Sequence, residues 1–166
     1  GDGIDCNREE ASRFYRAASD GGNEEAIEII TLIDFYGTDI DIESARKVHQ
    51  LKVSADGGNA ESMLKYAQTM EQGIKVPANN EVASIYYHMF DENASVHQLT
   101  DYANVLKSSH DANNKIKASR YYKMAADRGN SSAMYNYGYM LRFGQGIPSN
   151  KPEASRYLKM AADNNN

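Results

Sequence analysis

The sequence predicts an all-α chain, a right-handed αα-superhelix (solenoid) of about four and a half helical hairpins, each 36 residues long. Three observations predict it. One phrase recurs, as "ASRFYRAASDGGN" at 11–23, "ASRYYKMAADRGN" at 118–130 and "ASRYLKMAADNNN" at 154–166. Two rulers share one period: Asn23, Asn59, Ser95, Asn130 and Asn166 are spaced 36, 36, 35 and 36, and Gly1, Gly37, Gly73, Ser109 and Gly144 are spaced 36, 36, 36 and 35. Apolar residues recur at helical spacing, without the period-two alternation of strands. A helical hairpin of this size cannot bury its apolar face alone, so copies stack.

The recurring phrase is one helix of the hairpin, termed B. Its copies are expected near 8–20, 43–56, 80–92, 115–127 and 151–163. Their apolar slots hold Phe14, Tyr86, Tyr121 and Tyr157, then Tyr15, Leu51, Tyr87, Tyr122 and Leu158, then Ala17, Val53, Met89, Met124 and Met160. The other helix, A, is expected at 24–36, 60–72, 96–108 and 131–143. Its core slots hold Ala26, Ser62, Gln98 and Ala133, followed by Ile27, Met63, Leu99 and Met134. Ile30, Tyr66, Tyr102 and Tyr137 come next, with Thr31, Ala67, Ala103 and Gly138 beside them. Met70, Leu106 and Leu141 close the stripe, with Asp34 as the exception. This i, i+1, i+4, i+5, i+8 pattern is one face of an α-helix.

The punctuation fits the same frame. Gly22, Gly58 and Gly129 follow helices B, where a left-handed residue ends a helix without strain. The next residue, Asn23, Asn59, Ser95 or Asn130, caps helix A, and "SVHQ" at 95–98 reads as a capping box. The A-to-B loop "GQGIPSNKPE" at 144–153 is echoed by "GDGIDCNREE" at 1–10. Ile4, Ile40, Val76 and Ile147 offer an apolar plug for it, and Asn7 and Asn150 are candidate caps of helix B. Units then run near 1–36, 37–72, 73–108, 109–143 and a partial 144–166, one array. Gly1 aligns with Gly144 in mid-unit, so the chain reads as a segment of a longer array.

The hairpin length is similar to that of tetratricopeptide repeats, and two runs resemble the Sel-1-like repeat family. One is "A-x-x-x-Y-G-x-x-L-x-x-G-x-G-I", carried by Ala133, Tyr137, Gly138, Leu141, Gly144, Gly146 and Ile147. The other is "E-A-S-R-Y-L-K-M-A-A-D" from Glu153. The copy around 81–116 departs most, with Phe90 and Asp91 in place of Ala-Ala, and the 43–56 helix carries Lys47 where others have Ala. The resemblance implies a non-enzymatic adaptor that assembles protein complexes. Some cysteine-rich members of the family are described as β-lactamase-like, and their recurrent cysteines are absent here.

Composition narrows the classes. A quarter of the 166 residues are charged and the net charge is −5, which argues against a nucleic-acid partner. No apolar run reaches the ~20 residues of a membrane span. The single cysteine, Cys6, can form neither an internal disulfide nor a cysteine metal cluster. His49, His88, His97 and His110 share no ligand spacing, so no metal or other cofactor is expected. The carboxylates, Glu24, Glu25 and Asp127 among them, read as helix-start or polar-face charges, and no catalytic constellation emerges.

Binding is the remaining candidate function, with protein partners expected. Tyr135, Tyr139 and Phe143 recur at i, i+4, i+8 on the last helix A, off its core stripe. In stacked hairpins that side lines a concave groove. The matching positions upstream are Glu28 and Leu32, Leu64 and Gln68, then Thr100 and Asn104, with Phe35, Glu71 and Lys107 one turn on. The expected function is therefore a scaffold that takes a peptide or helix in this groove. The other reading is a structural component packed on several faces within a larger assembly.

Overall fold

The computed structural model describes the backbone of residues 8–164 and the side chains from Glu10 onward. Gly1, Ile4, Cys6, Asn7 and Asn166 lie outside the described residues. Among the described residues there are nine α-helices and no strand. They are α1 (Arg8–Asp20), α2 (Glu24–Tyr36), α3 (Ile42–Asp56), α4 (Ala60–Gln72), α5 (Asn80–Asn93), α6 (Val96–Ser108), α7 (Ala112–Asp127), α8 (Ser131–Phe143) and α9 (Lys151–Asp163). Odd numbers are helices B and even numbers helices A. The helices fall into two compact units, one ending at Asn93 and one starting at Ala94. Helix α7 starts three residues earlier than its copy in the pattern, because Asp111 caps it by accepting from the Asn113 N–H at 2.8 Å.

The B-to-A turn is built the same way three times. The N–H groups of Asn23, Asn59 and Asn130 reach back five residues to the carbonyls of Ala18, Ser54 and Ala125 at 3.1, 3.2 and 3.0 Å. Gly22, Gly58 and Gly129 hold the left-handed position with φ of 84°, 94° and 94°. The same three asparagines then cap the next helix, accepting from Ala26, Ser62 and Ala133 N–H at 2.9, 2.9 and 2.8 Å. One Gly-Asn pair thus closes helix B and opens helix A. Ser95 does the opening with the expected capping box to Gln98.

Within three of the hairpins a tyrosine of helix A meets a tyrosine of the following helix B, edge to face. The pairs are Tyr66–Tyr86, Tyr102–Tyr121 and Tyr137–Tyr157, with centroids 4.5, 4.9 and 4.8 Å apart. Such pairs add about 0.5–1.5 kcal/mol each beyond the area they bury. Beside the last pair, α8 and α9 approach closely. A Cβ on Gly138 would lie 2.9 Å from Leu158 Cγ and 3.2 Å from the Ala154 carbonyl oxygen. The loop is tied down by a second glycine, Gly146, whose absent Cβ leaves room for the Lys115 backbone. Val76 is buried and Ile147 half-buried in their loops, as expected of plugs.

Four core expectations need correction. In α2 the buried residues are Ala26, Ile29, Leu32, Ile33 and Tyr36, while Ile27 is exposed and Ile30 and Thr31 are half-buried. Asp34 sits in a slot that is apolar in the other copies. Compared with α4, whose buried residues are Ala60, Met63, Tyr66, Ala67 and Met70, the buried set of α2 is displaced by two residues, about 200° around the helix, which buries Ile33 and Tyr36 and leaves Asp34 outside on Arg16 at 2.5 Å. In α3 the buried positions are Ala45, Val48 and Ala55, and Lys47 stays outside on Glu43 at 3.1 Å. Phe14, the counterpart of Tyr86, Tyr121 and Tyr157, is exposed, because no helix A precedes α1 among the described residues. The third B slot is peripheral: Ala17 and Val53 are exposed and Met89, Met124 and Met160 half-buried. Phe90, which replaces a small residue, is buried.

Asp127 is also not at a helix start. It is the last residue of α7, as Asp56 is of α3. Negative charge at a helix C-terminus is disfavoured by the helix dipole. Each is held by two donors. Lys52 and Lys123, one turn back, donate to Asp56 and Asp127 at 2.6 Å. Tyr86 and Tyr157, from the next helix B, donate to the same carboxylates at 2.5 and 2.8 Å. Burial alone would raise both carboxyl pKa values; the lysine and tyrosine hydrogen bonds outweigh it and hold them below the usual range. Burial, then the bond to Asp56, pushes the Tyr86 phenol up to about 12.

Two outcomes are expected. Gly138→Ala forces α8 from α9 and destabilises by ~1–3 kcal/mol in urea unfolding, whereas a cost near zero would show that the contact yields. For pH, the Asp56 contribution is complete above its ordinary value of 3.8 and is lost as pH falls through the lower folded value. The Tyr86 contribution is complete below its ordinary value of 10 and is lost as pH rises toward 12. Tyr86→Phe should therefore lower Tm at pH 7 and fall less steeply than the parent between pH 10 and 12; parallel curves there would contradict it.

Candidate functional site: a partner groove on the A helices

The groove positions divide by unit. In the first, Glu28 is exposed and bound bidentately by Arg46, with Nε to Oε1 at 2.7 Å and Nη2 to Oε2 at 3.2 Å. The Arg46 hydrogen bonds hold its carboxyl below the usual range. Leu32 is a core residue at 1 % exposure, which corrects its assignment to the groove: the turn of α2 carries it inside. Leu64 and Gln68 are half-buried. Glu71 is engaged by the Tyr87 hydroxyl at 2.6 Å. Phe35 is exposed beside His49 and under the Lys52 ammonium, 5.5 Å from each. Glu28 is thus paired with a cation, and Glu71 is hydrogen-bonded to a phenol.

In the second unit, Thr100 is also buried, its hydroxyl donating to the Val96 carbonyl at 2.7 Å. It is core rather than groove, because the bond along its own helix satisfies the hydroxyl and lets the side chain turn in. Asn104 is exposed and accepts from the Tyr122 hydroxyl at 2.6 Å. Burial pushes that phenol up to about 12, so it stays a donor. Lys107 lies between two rings, its ammonium 5.9 Å from the Tyr122 centroid and 5.6 Å from that of Tyr139. It donates to Asn136 at 2.9 Å. Tyr139 and Phe143 touch, with centroids 4.6 Å apart, and Arg142 lies 5.7 Å from the Phe143 ring.

The three predicted aromatics are all accessible: Tyr135 at 56 %, Tyr139 at 37 % and Phe143 at 57 %. Tyr139 and Phe143 are in ring contact near Lys107. Tyr135, one turn before Tyr139, lines a cleft of about 550 Å³ with Ser131, Ser132, Asn136, Leu158, Ala161 and Ala162. Tyr137, between them in sequence, is buried against Tyr157. The stripe is therefore separate from the core.

Sequence reasoning missed Asn136 and the ring setting of Lys107. A signal existed for part of this: Glu28 with Arg46, and Asn104 with Tyr122, are each 18 residues apart, half a period. No comparable signal marks Asn136. Among the described residues no group of three or more His, Cys, Asp or Glu could hold a metal ion, and no helix is long and apolar enough to cross a membrane.

The family model for the Sel1 repeat matches residues 60–89, 111–130 and 131–166, together more than half of the chain. A Sel1 repeat protein from Oxalobacter formigenes is 20% identical, with a TM-score of 0.46 over 73% of this chain and 92% of that one. A protective antigen of uropathogenic Escherichia coli strains, displaying an SLR fold, is 20% identical with a TM-score of 0.47 over 92% of this chain. The present chain spans 33% of that antigen's length. No curated protein sequence matches the chain.

Proposed function

Because the chain belongs to the Sel1 repeat family, whose repeats generally mediate protein–protein interaction, we propose that it is a non-enzymatic scaffold binding a partner peptide or helix on its A helices. The observation that carries this reading is the exposed aromatic surface of α8. Tyr135, Tyr139 and Phe143 project from a helix whose core contacts are made by Met134, Tyr137, Gly138, Met140 and Leu141. Large rings with few rotors give much contact area at small entropic cost, and they dominate interface hot spots. Asn104, Lys107 and Asn136 provide directional groups beside them. Glu28, Leu64 and Gln68 form a corresponding surface on the other unit.

One observation favours the assembly reading. Tyr122 and Ala126 in α7 are buried, and α7 packs on both α6 and α8. Their counterparts in α9, Leu158 and Ala162, are half-buried and exposed, and they line the Tyr135 cleft. That cleft has the composition of a seat for another helix A.

Replacing Tyr135 and Tyr139 together with Ala should weaken binding of a captured partner by ~2 kcal/mol or more, with helicity and Tm nearly unchanged. Tyr137→Ala should unfold the last hairpin by opening a core cavity. If the groove pair unfolds the chain as badly as Tyr137→Ala, the stripe is core and the proposal fails. If Tyr135→Ala alone abolishes binding and Tyr139→Ala does nothing, the helix seat is the interface.

A further inference from the structure

We infer that the groove between α6 and α8 selects peptides carrying a carboxylate side chain next to an apolar one, with Lys107 receiving the carboxylate and the Tyr139–Phe143 pair the apolar neighbour. The inference rests on the groove reading above and names its ligand. Its basis is a contrast within the molecule. The groove carboxylates of the first unit are engaged, Glu28 by Arg46 and Glu71 by Tyr87. In the second unit neither Lys107 nor Arg142 has a carboxylate partner among the described residues. The contacts of Lys107 are one hydrogen bond to Asn136 and the faces of Tyr122 and Tyr139.

Those contacts orient the ammonium without neutralising it. An ammonium carries three donors, and Asn136 takes one of them. The two rings fix its position by attraction to the ring faces. They also remove water from one side, which strengthens a charge-assisted hydrogen bond on the other. The position of Lys107 and Arg142 in the last turns of α6 and α8 is favoured by the helix dipoles, but that interaction consumes no donor. Tyr139 is shared: one ring holds the cation and also stacks on Phe143. A carboxylate on Lys107 therefore brings its neighbouring side chain over an exposed aromatic pair. Asn104, exposed one turn before Lys107, can bond the peptide backbone there.

The test selects random heptapeptides displayed on phage against the immobilised chain, the Lys107→Met variant and the Tyr135→Ala/Tyr139→Ala variant. Methionine keeps an apolar stem between the rings, and an unchanged Tm verifies the fold. The parent should enrich Asp or Glu beside an apolar residue, and Lys107→Met should lose only the acidic preference. A selected peptide should bind Lys107→Met about tenfold more weakly, the effect of losing one charge-assisted bond. Its Glu→Gln version should bind both proteins equally. Enrichment that is lost in the tyrosine variant but shows no acidic preference would overturn this inference and leave the groove standing. Peptides that bind the tyrosine variant as well as the parent, or no enrichment at all, would overturn the groove reading and this inference with it.

Discussion

The structure depends on one tyrosine in each of α5 and α9 and on what its two ends do. The ring of Tyr157 stands edge-on to Tyr137 in its own hairpin, and its hydroxyl donates to Asp127 at the end of the preceding helix B. Tyr86 does the same with Tyr66 and Asp56. One side chain therefore fixes the A–B angle within a hairpin and the B–B spacing to the hairpin before. The acidic C-terminus that accepts it is unfavourable by itself, and becomes favourable only with a lysine one turn back and a phenol from the next copy. The aspartate that ends α3 and α7 is thus a joint between successive hairpins.

In the proposed reading, the joint explains why binding falls on the A helices. Helices B spend their tyrosines, small residues and terminal aspartates on each other and on the A helices behind them. Helices A spend one stripe on the core, and the opposite stripe is released from packing. In the second unit that stripe bears Tyr135, Tyr139 and Phe143, with Lys107 held in place by its neighbours. Adaptation to a partner needs such a division, since side chains on the free stripe can change without altering the register beneath.

Much of this was legible in the sequence because the repeat reports helix boundaries four or five times over. Gly-Asn punctuation, the Ser95 cap and the aromatic stripe of α8 follow from local chemistry and spacing alone. What was not legible arose where one copy departs from the others. Asp34 cannot be buried without a partner, so α2 turns, Leu32 goes inside and the groove loses a residue. Thr100 turns inward because its hydroxyl is satisfied along its own helix, a choice spacing cannot reveal. Asp127 was legible as charge but not as a joint, because its partner lies 30 residues away in the next hairpin.

The central claim is that the tyrosine–aspartate joint couples successive hairpins, and a double-mutant cycle on Asp127→Asn and Tyr157→Phe measures it most directly. The carboxylate is about half exposed, so solvent weakens the bond, and a coupling energy of ~0.5–1 kcal/mol is expected in urea unfolding at pH 7. Single-variant effects that add within error would show that the two groups are merely adjacent, and would contradict the account.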